Sequence, residues 1–339
     1  MPNQTHPWKN WIDWAKTLGM LCIVWGHTFP AYLSPFIYAF NVPVFFFLSG
    51  YLTKEESNPK VFFHKLWHNL IVPYLILSLS LNAIFIITHR ASPESLYSLL
   101  MTLGGIHSAG RIIGCSNLWF VYTLIVIKVV CFYAQRFRYG PLYVGVLALG
   151  GMFAYNYSPH NDIAWAYTNA LIAFPYFIAG FYAAKPKFHK LISNWTTRYK
   201  PLPLGAKLVG IMLMFALTYL LSYSNGNAFL YKGQYGHNYL AFLCSSITGI
   251  SAIILTAHLL DRFHRKYCHL ISTGSLIILA YHLYILVPTI RILHNYLEHP
   301  LIENIGKLSL SVAILGLFIP IIILTKRHFP IVLGSRANK

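Results

Sequence analysis

The sequence is short of charge, and above all of acidic charge. Asp and Glu together number 8 in 339 residues, and charged residues of all kinds make up only 10% of the chain. A soluble protein normally carries about 25% charged residues. Hydrophobic residues reach 56%. This composition excludes an ordinary soluble protein and predicts a chain that lies mostly within lipid.

Cysteine is also scarce, and its spacing is uninformative. The 5 cysteines show no C-x-x-C spacing, so neither a disulfide framework nor a zinc site is predicted. The formal net charge of +18 is dispersed among apolar runs instead of being gathered on one domain. Nucleic-acid binding is therefore not predicted.

Long apolar runs are abundant, and they define the expected architecture. An all-α, polytopic membrane protein with about ten transmembrane helices is predicted. The expected spans are 12–33, 36–53, 70–88, 116–134, 141–156, 168–184, 204–223, 238–260, 271–290 and 306–325. Lysine and arginine are concentrated in the N-terminal segment, the even-numbered connections and the C-terminal tail, which predicts cytoplasmic termini. With no long linker or repeat, residues 1–339 are expected to form one membrane domain.

The first span carries two ionisable residues, which are costly in lipid and therefore suggest function. Lys16 and His27 are eleven positions apart, about three helical turns, so they share a face roughly 16 Å apart along the axis. Pro30 cannot donate to the carbonyl of Gly26, which suggests loosened backbone beside His27. The alternative is that Lys16 extends to the interface and His27 is a packing residue.

Two further spans contain polar residues of interest. In the second, Pro43 is expected to free the carbonyl of Ala39, with Asn41 nearby, although a simple kink is an alternative. In the ninth, Ser275 and His282 are seven positions apart and share a face, with Tyr281 beside it. His282 is expected at a depth from which it could approach His27.

A cationic group precedes the third span. Lys65 and His68 are three positions apart, and with Lys16 they would form a cytoplasmic patch that could bind phosphates. The alternative is that they belong to the basic residues that normally flank membrane spans on the cytoplasmic side. His64 and His68 are four positions apart, a spacing at which two histidines could bind a metal, but no third ligand accompanies them, so no metal is predicted.

The outer connections 157–167 and 224–237 mix aromatic residues with Asn, Asp and His. Such a mixture suits a polar, ring-shaped ligand, because aromatic faces pack on apolar ring surfaces while amides bond hydroxyls. An aromatic belt at the membrane interface is the alternative, and it is also the simpler explanation of Trp119.

With these residues in view, the chain resembles the acyltransferase-3 family of integral membrane acyltransferases, and within it the fucose 4-O-acetylase-like branch. The similarity is carried by five stretches in the family's order. They are WID-x-x-K at 11–16, the basic residue followed after ten others by His27, VPVFFFLSGY at 42–51, LWF at 118–120 and GSLIILAYH at 274–282. Three positions depart from the family pattern: Lys65 and His68 stand where an Arg-x-x-Arg pair is common, and Asn41 stands where a histidine is common.

The resemblance implies an enzyme of the cell membrane (the inner membrane if the source is bacterial) that transfers an acyl group, most simply acetyl, from cytoplasmic acyl-CoA. The acceptor would be a hydroxyl of a carbohydrate or glycolipid. His27 would act as general base, because imidazole titrates near neutral pH, and an acyl-histidine intermediate is an alternative. His282, Ser275 and Tyr281 would orient His27 or meet the developing oxyanion.

The same resemblance implies the binding residues. Lys16, Lys65 and His68 would hold the phosphates of acetyl-CoA, and Asp13, a plausible N-cap of the first helix within ion-pair reach of Lys16, would position that lysine.

Acceptor contacts would come from Asn41, Trp119 and Asp162. The rival functions are a transporter or flippase for a saccharide or lipid-linked sugar, with histidines as a proton relay, and a purely structural membrane subunit.

Overall fold

A computed structural model describes residues 10–89, 116–155, 167–186, 188, 201–263, 266–294 and 300–334. These residues form helices joined by turns, with no strand among them. The helices are α1 (Asn10–Gly26), α2 (Ser34–Phe40), α3 (Pro43–Tyr51), α4 (Pro59–Leu66), α5 (Val72–His89), α6 (Trp119–Ala134), α7 (Gly140–Tyr155), α8 (Tyr167–Ala183), α9 (Leu204–Asn225), α10 (Tyr239–Leu260), α11 (Lys266–Thr273), α12 (Ser275–His294) and α13 (Pro300–His328). The chain is an all-α membrane protein, as its composition predicts.

The helices fall on the predicted apolar runs. Within the described ranges, four helical stretches are long and apolar enough to cross a membrane, and the number rises to five if the bent pair of α11 and α12 is counted as one span. Helices α6, α7 and α8 are shorter and equally apolar. The number of crossings and the side of the termini stay predictions.

The first two predicted spans are wrong in detail. Helix α1 ends at Gly26 and does not continue to residue 33, and a turn over residues 27–33 leads into α2. The second span is broken at Asn41 and Val42, just before Pro43. Both breaks lie next to a proline, which removes a backbone donor and crowds the preceding turn. The result is two short helices, α2 and α3, that present the Asn41 junction to the interior.

Helix α1 occupies the centre of the bundle. It packs against α10, α11, α12 and α13, and Ala15 and Val24 are completely buried. At its first turn, Trp11 is buried between Tyr51 and His258, with ring centroids 5.3 Å and 4.9 Å away. The described part of α1 already includes Asn10. Asp13 therefore lies inside the first turn, and the predicted N-cap role is wrong.

Helices α3 and α8 approach each other as closely as two backbones can. A Cβ added to Gly50 would lie 1.9 Å from the carbonyl oxygen of Phe177, and one added to Gly180 would lie 1.9 Å from that of Phe47. Only glycine permits this contact, which is a common device for packing membrane helices. It fixes α3, and with it the Asn41 junction, against the bundle.

Two other irregularities shape the site. A π turn (Trp67–Ile71) joins α4 to α5, which shifts the faces of the helix on either side of it. Helices α11 and α12 meet at Gly274 with an angle of 82°. A Cβ at Gly274 would lie 2.3 Å from Ile322 of α13, so this corner needs glycine. The bend places the start of α12, including Ser275, beside α1.

Candidate active site

A cavity of about 330 Å³ lies where α1, the Asn41 junction, α6 and α12 meet. A short stretch of the α9–α10 connection, residues 228–231, closes the remaining side. Most of the wall is aromatic or aliphatic, and its polar side chains are few. They are His27, Tyr38, Asn41, Asn117, Tyr231 and Ser275. A predominantly apolar cleft of this size with a few convergent polar groups is typical of a small-molecule site.

His27 is the first residue after α1, and its ring is anchored to the last turn of that helix. Its backbone N–H still donates to the carbonyl of Ile23 at 3.2 Å. Its Nδ1 lies 2.8 Å from the same carbonyl oxygen. A carbonyl oxygen only accepts, so this contact assigns the proton to Nδ1.

The ring of His282 lies directly against that of His27. The centroids are 4.8 Å apart at an angle of 66°, and Nε2 of His282 lies 3.3 Å from Nδ1 of His27. His282 is completely buried, and its own Nδ1 faces the carbonyl oxygens of Ile278 and Leu279 at 2.8 Å and 3.1 Å. Nδ1 of His282 is therefore a donor as well, which leaves its Nε2 as an acceptor for His27.

This arrangement determines which nitrogen of His27 is available. With Nδ1 shared between Ile23 and His282, Nε2 carries the lone pair, and no described residue hydrogen-bonds it. Because His27 lines the cavity, the Nε2 lone pair is on a ring that forms part of the cavity wall.

The carbonyl of Gly26 has hydrogen-bond donors, which overturns the expected loosening of the backbone beside His27. The carbonyl of Gly26 accepts the Tyr38 hydroxyl at 3.1 Å and the backbone N–H of Phe29 at 3.0 Å. Pro30 does not leave it free because the helix has already ended there. Phe29 and Tyr32 have φ values of 48° and 61°, a strained conformation for bulky side chains.

Helix α13 holds this strained turn in place. Lys307 donates to the carbonyl of Phe29 at 3.1 Å, and Asn304 donates to that of Ala31 at 3.0 Å. Lys307 also pairs with Glu303 at 2.6 Å. Neither contact could be predicted from the sequence, because about 275 positions separate the partners and α13 reads as a plain apolar span.

Asn41 lies where the second span breaks, and it is buried in the cavity wall. Its Oδ1 accepts from the backbone N–H of Val42 at 2.8 Å, which leaves its amide NH₂ on the side of Gly26. Pro43 does free the carbonyl of Ala39, as expected, and the hydroxyl of Ser246 on α10 donates to it at 2.6 Å.

The other residues predicted to contact the acceptor differ in where they lie. Trp119 is buried, lines the cavity and packs near Phe46, so the interface-anchor interpretation is wrong for it. Part of the aromatic outer connection, Ala228 to Tyr231, also lines the cavity. Asp162 and the rest of the 157–166 connection lie outside the described residues.

Ser275 and Tyr281 both lie on α12 but have different surroundings. Ser275 is the first residue of α12 and lines the cavity on the same helix as His282. The hydroxyl of Tyr281 is instead hydrogen-bonded to Ser80 of α5. Tyr281 is thus bonded to α5 and is not among the residues that line the cavity, so the expected oxyanion role does not fit its position.

The predicted cytoplasmic half of α1 continues the cavity wall. Met20 and Ile23 line the cavity, and Lys16 lies on the same face of α1, one turn before Met20. Lys16 is partly buried and within electrostatic range of Asp13. Asp13 is completely buried, and its Oδ2 lies 3.0 Å from Nδ1 of His269 on α11. His269 is a partner that the sequence did not indicate.

Lys65 and His68 contact side chains other than Lys16. Lys65 is exposed and donates to Glu56 at 2.8 Å, which lowers the pKa of that carboxyl. His68 belongs to the π turn that runs directly into α5, and its ring lies 4.4 Å from that of His64. Among the described residues no bond joins either one to Lys16. No group of three metal-ligating side chains occurs in the described ranges.

Comparison with known proteins identifies the chain at the level of its family. The family model described as an acyltransferase domain (Acyl_transf_3) matches residues 9–327, nearly the whole length. Comparisons with curated proteins and with solved structures found no match. The chain belongs to the acyltransferase-3 family and is a membrane acyltransferase.

Proposed function

We propose that this protein is an O-acyltransferase that transfers an acetyl group from cytoplasmic acetyl-CoA to a hydroxyl of a carbohydrate or glycolipid, in the manner of the fucose 4-O-acetylase-like branch. The observation that carries the proposal is the His27–His282 contact at the wall of the cavity. It supplies a histidine with one nitrogen anchored and the other carrying a lone pair, which is what a general base requires.

The reaction follows from this geometry. Nε2 of His27 accepts the proton of the acceptor hydroxyl while its oxygen attacks the thioester carbonyl. The imidazolium that forms keeps its Nδ1–H bonded to Ile23 and His282, so no new proton transfer is needed on that side. When the tetrahedral intermediate collapses, the carbon–sulfur bond breaks and His27 returns its proton to the thiolate. An alternative order forms an acyl-histidine first and then transfers it.

The developing oxyanion needs donors in the same cavity. The Asn41 amide and the Ser275 hydroxyl both line it, and a preorganised donor in a water-poor site is worth several kcal/mol to a transition state. Tyr281 is not assigned this role because its hydroxyl already bonds Ser80.

Lys16 is assigned to the donor. It lies about 16 Å from His27 along α1, at the predicted cytoplasmic end of the stripe formed with Met20 and Ile23. Asp13 and His269 fix the helix end beside it. Lys65 and His68 would contribute as a peripheral cationic patch, and Lys65 would exchange Glu56 for a phosphate.

The proposal includes the setting of the enzyme. Residues 1–339 form one membrane domain of ten spans in the cell membrane, with both termini in the cytoplasm. Donor and acceptor then reach the cavity from opposite sides, the donor past Lys16 and the acceptor past residues 228–231 and Trp119.

The test is transfer of radiolabel from [¹⁴C]acetyl-CoA into glycan, with membranes that contain the wild-type chain or His27→Ala. The wild type should give covalent label, and His27→Ala should lose about 10²- to 10⁴-fold of the rate. A transporter would give no covalent label. Undiminished transfer by a fully inserted His27→Ala protein would refute the mechanism.

A further inference from the structure

The connection between α9 and α10, residues 226–238, has a fixed shape; it is called the strap below. Asn225 is buried beneath it and bonds it at both ends of its side chain. Its Nδ2 donates to the carbonyl of Tyr235 at 2.6 Å, and its Oδ1 accepts from the backbone N–H of Asn238 at 2.6 Å. Its own carbonyl accepts from His237 at 2.9 Å. The strap is therefore built as a unit and is not a loose loop.

Glycine makes this close bonding possible. Gly226 and Gly236 have φ values of 77° and 85°, a region that favours glycine. A Cβ on Gly236 would lie 2.4 Å from Asn225, so no larger residue fits there without displacement. The strap is consequently held close to the end of α9.

The middle of the strap forms part of the cavity wall. Phe229 and Tyr231 both line the cavity that contains His27, and their ring centroids are 6.0 Å apart. Phe229 also meets the ring of Tyr38 edge-on at 5.2 Å, and Tyr38 bonds the Gly26 carbonyl next to His27. Two aromatic faces are thus positioned relative to the histidine through direct contacts.

A lysine accompanies these two rings. Nζ of Lys232 lies 5.5 Å from the centroid of Phe229 and 5.5 Å from that of Tyr231, and its side chain is exposed. The other charged side chains bonded near the rim are Lys307 and Glu303, which neutralise each other while Lys307 holds Phe29. Among the described residues no ion pair includes Lys232, so its charge beside the two aromatic rings is not balanced by a carboxylate.

We infer that the strap is an acceptor-binding element, and that it selects a saccharide with a negative charge. Phe229 and Tyr231 would pack on the apolar face of a sugar ring, and the ammonium of Lys232 would meet a carboxylate or phosphate on it. The inference rests on the proposed function for the meaning of "acceptor", but it concerns binding and can be tested without turnover. The anion can come from a uronic acid or from a sugar phosphate.

The experiment measures binding to the full-length chain in detergent by isothermal titration calorimetry. The three probes are methyl glucuronide, glucose 1-phosphate and methyl glucoside. The wild type should bind at least one anionic probe about fivefold more tightly than methyl glucoside, and the preference should fall as salt is raised. Whichever anionic probe is preferred identifies the source of the charge.

Variants then assign the preference to the strap. Lys232→Gln should abolish the anionic preference and leave the affinity for methyl glucoside unchanged, while Lys232→Arg should retain it. Phe229→Ala should weaken all three probes together. Lys60→Gln, which removes an exposed lysine on α4, is the matched control and should behave as the wild type.

Three outcomes would overturn the inference. They are equal affinity for charged and neutral probes, a preference that survives Lys232→Gln, and no binding of any probe at the highest soluble concentration. Failure of the proposed function would look different, because it would appear as absent acetyl transfer while the binding pattern remained.

Discussion

Nε2 of His282 lies 3.3 Å from Nδ1 of His27, although 255 positions separate the two residues. The contact joins the turn that follows α1 to the middle of α12. Because Nδ1 of His282 is committed to two backbone carbonyls, its Nε2 is available as an acceptor. His282 is therefore a positioning residue for His27 and does not itself line the cavity.

Replacing His282 should lower turnover more than donor binding. In His282→Leu the acceptor for the Nδ1–H of His27 is lost, and we expect kcat to fall about 10- to 100-fold with little change in the KM for acetyl-CoA. His282→Gln offers an amide oxygen as an acceptor and should retain more activity. The measurement is steady-state acetyl transfer by matched amounts of inserted protein.

Equal activity of the Leu and Gln variants would contradict this role, since the two differ chiefly in that acceptor. Thermal unfolding of both variants in detergent serves as the structural control. If both lose stability to the same extent, a difference in kcat between them still reports on the hydrogen bond.

Much of the fold could be predicted, because the apolar runs and the residues that interrupt them determine it. Seven of the eight predicted spans from 70–88 to 306–325 each overlap one helix, and the remaining one, 271–290, crosses the corner at Gly274 between α11 and α12. The other two errors lie at prolines: Pro30 follows a helix that has already ended at Gly26, and Pro43 divides what composition alone presents as one span. Hydropathy averages over such turns and does not register them.

Lys16 offers a test of donor binding. Lys16→Met keeps an unbranched side chain but removes the charge, so we expect the KM for acetyl-CoA to rise about 10- to 100-fold, as expected for loss of a charge-assisted bond. Lys16→Arg should restore most of the affinity. Lys60→Met is the control, because Lys60 is an exposed lysine on α4, and it should leave the KM for acetyl-CoA unchanged. An unchanged KM in Lys16→Met would exclude the lysine from the donor site.

The site was only partly predictable, and the reason is the same for each miss. Helical periodicity predicts which residues share one face of one helix, such as Lys16 with His27 and Ser275 with His282. It does not say which helix faces which. Asp13 thus proved to bond His269, and Tyr281 proved to bond Ser80. Trp119 enters the cavity for a related reason, since α6 packs inward at its first turn.

The buried Asp13–His269 pair should stabilise the end of α1. Asp13→Asn keeps the shape but weakens the bond to His269, and we expect a loss of about 1–3 kcal/mol in the free energy of unfolding. The lower part of the range allows for the exposure of His269, whose side chain is 45% accessible. Thermal unfolding in detergent, followed by tryptophan fluorescence, measures the effect.

Glu56→Gln provides the matched comparison, because it removes a carboxylate from the exposed pair with Lys65. It should change the unfolding temperature less than Asp13→Asn does, since water screens that pair. A larger effect at Glu56 than at Asp13 would show that the buried pair does not stabilise α1.

The contact between α3 and α8 gives the sharpest stability prediction. In Gly50→Ala or Gly180→Ala, the new methyl group would meet a backbone carbonyl oxygen at 1.9 Å, and a backbone cannot yield as a side chain can. The helices must separate, so we expect a loss of about 1–3 kcal/mol or more and a lower yield of inserted protein. Because α3 follows directly on the Asn41 junction, acetyl transfer should fall as well.

Gly316→Ala is the control for this substitution. Gly316 lies within α13 with nothing within 4 Å of an added Cβ, so the change adds only helix propensity. We expect it to be neutral or to stabilise the protein by up to about 1 kcal/mol. Because the chemical change is identical at all three positions, any difference in unfolding temperature reports on the packing alone. If Gly50→Ala and Gly316→Ala unfold at the same temperature, the close approach of α3 and α8 does not exist in the folded protein.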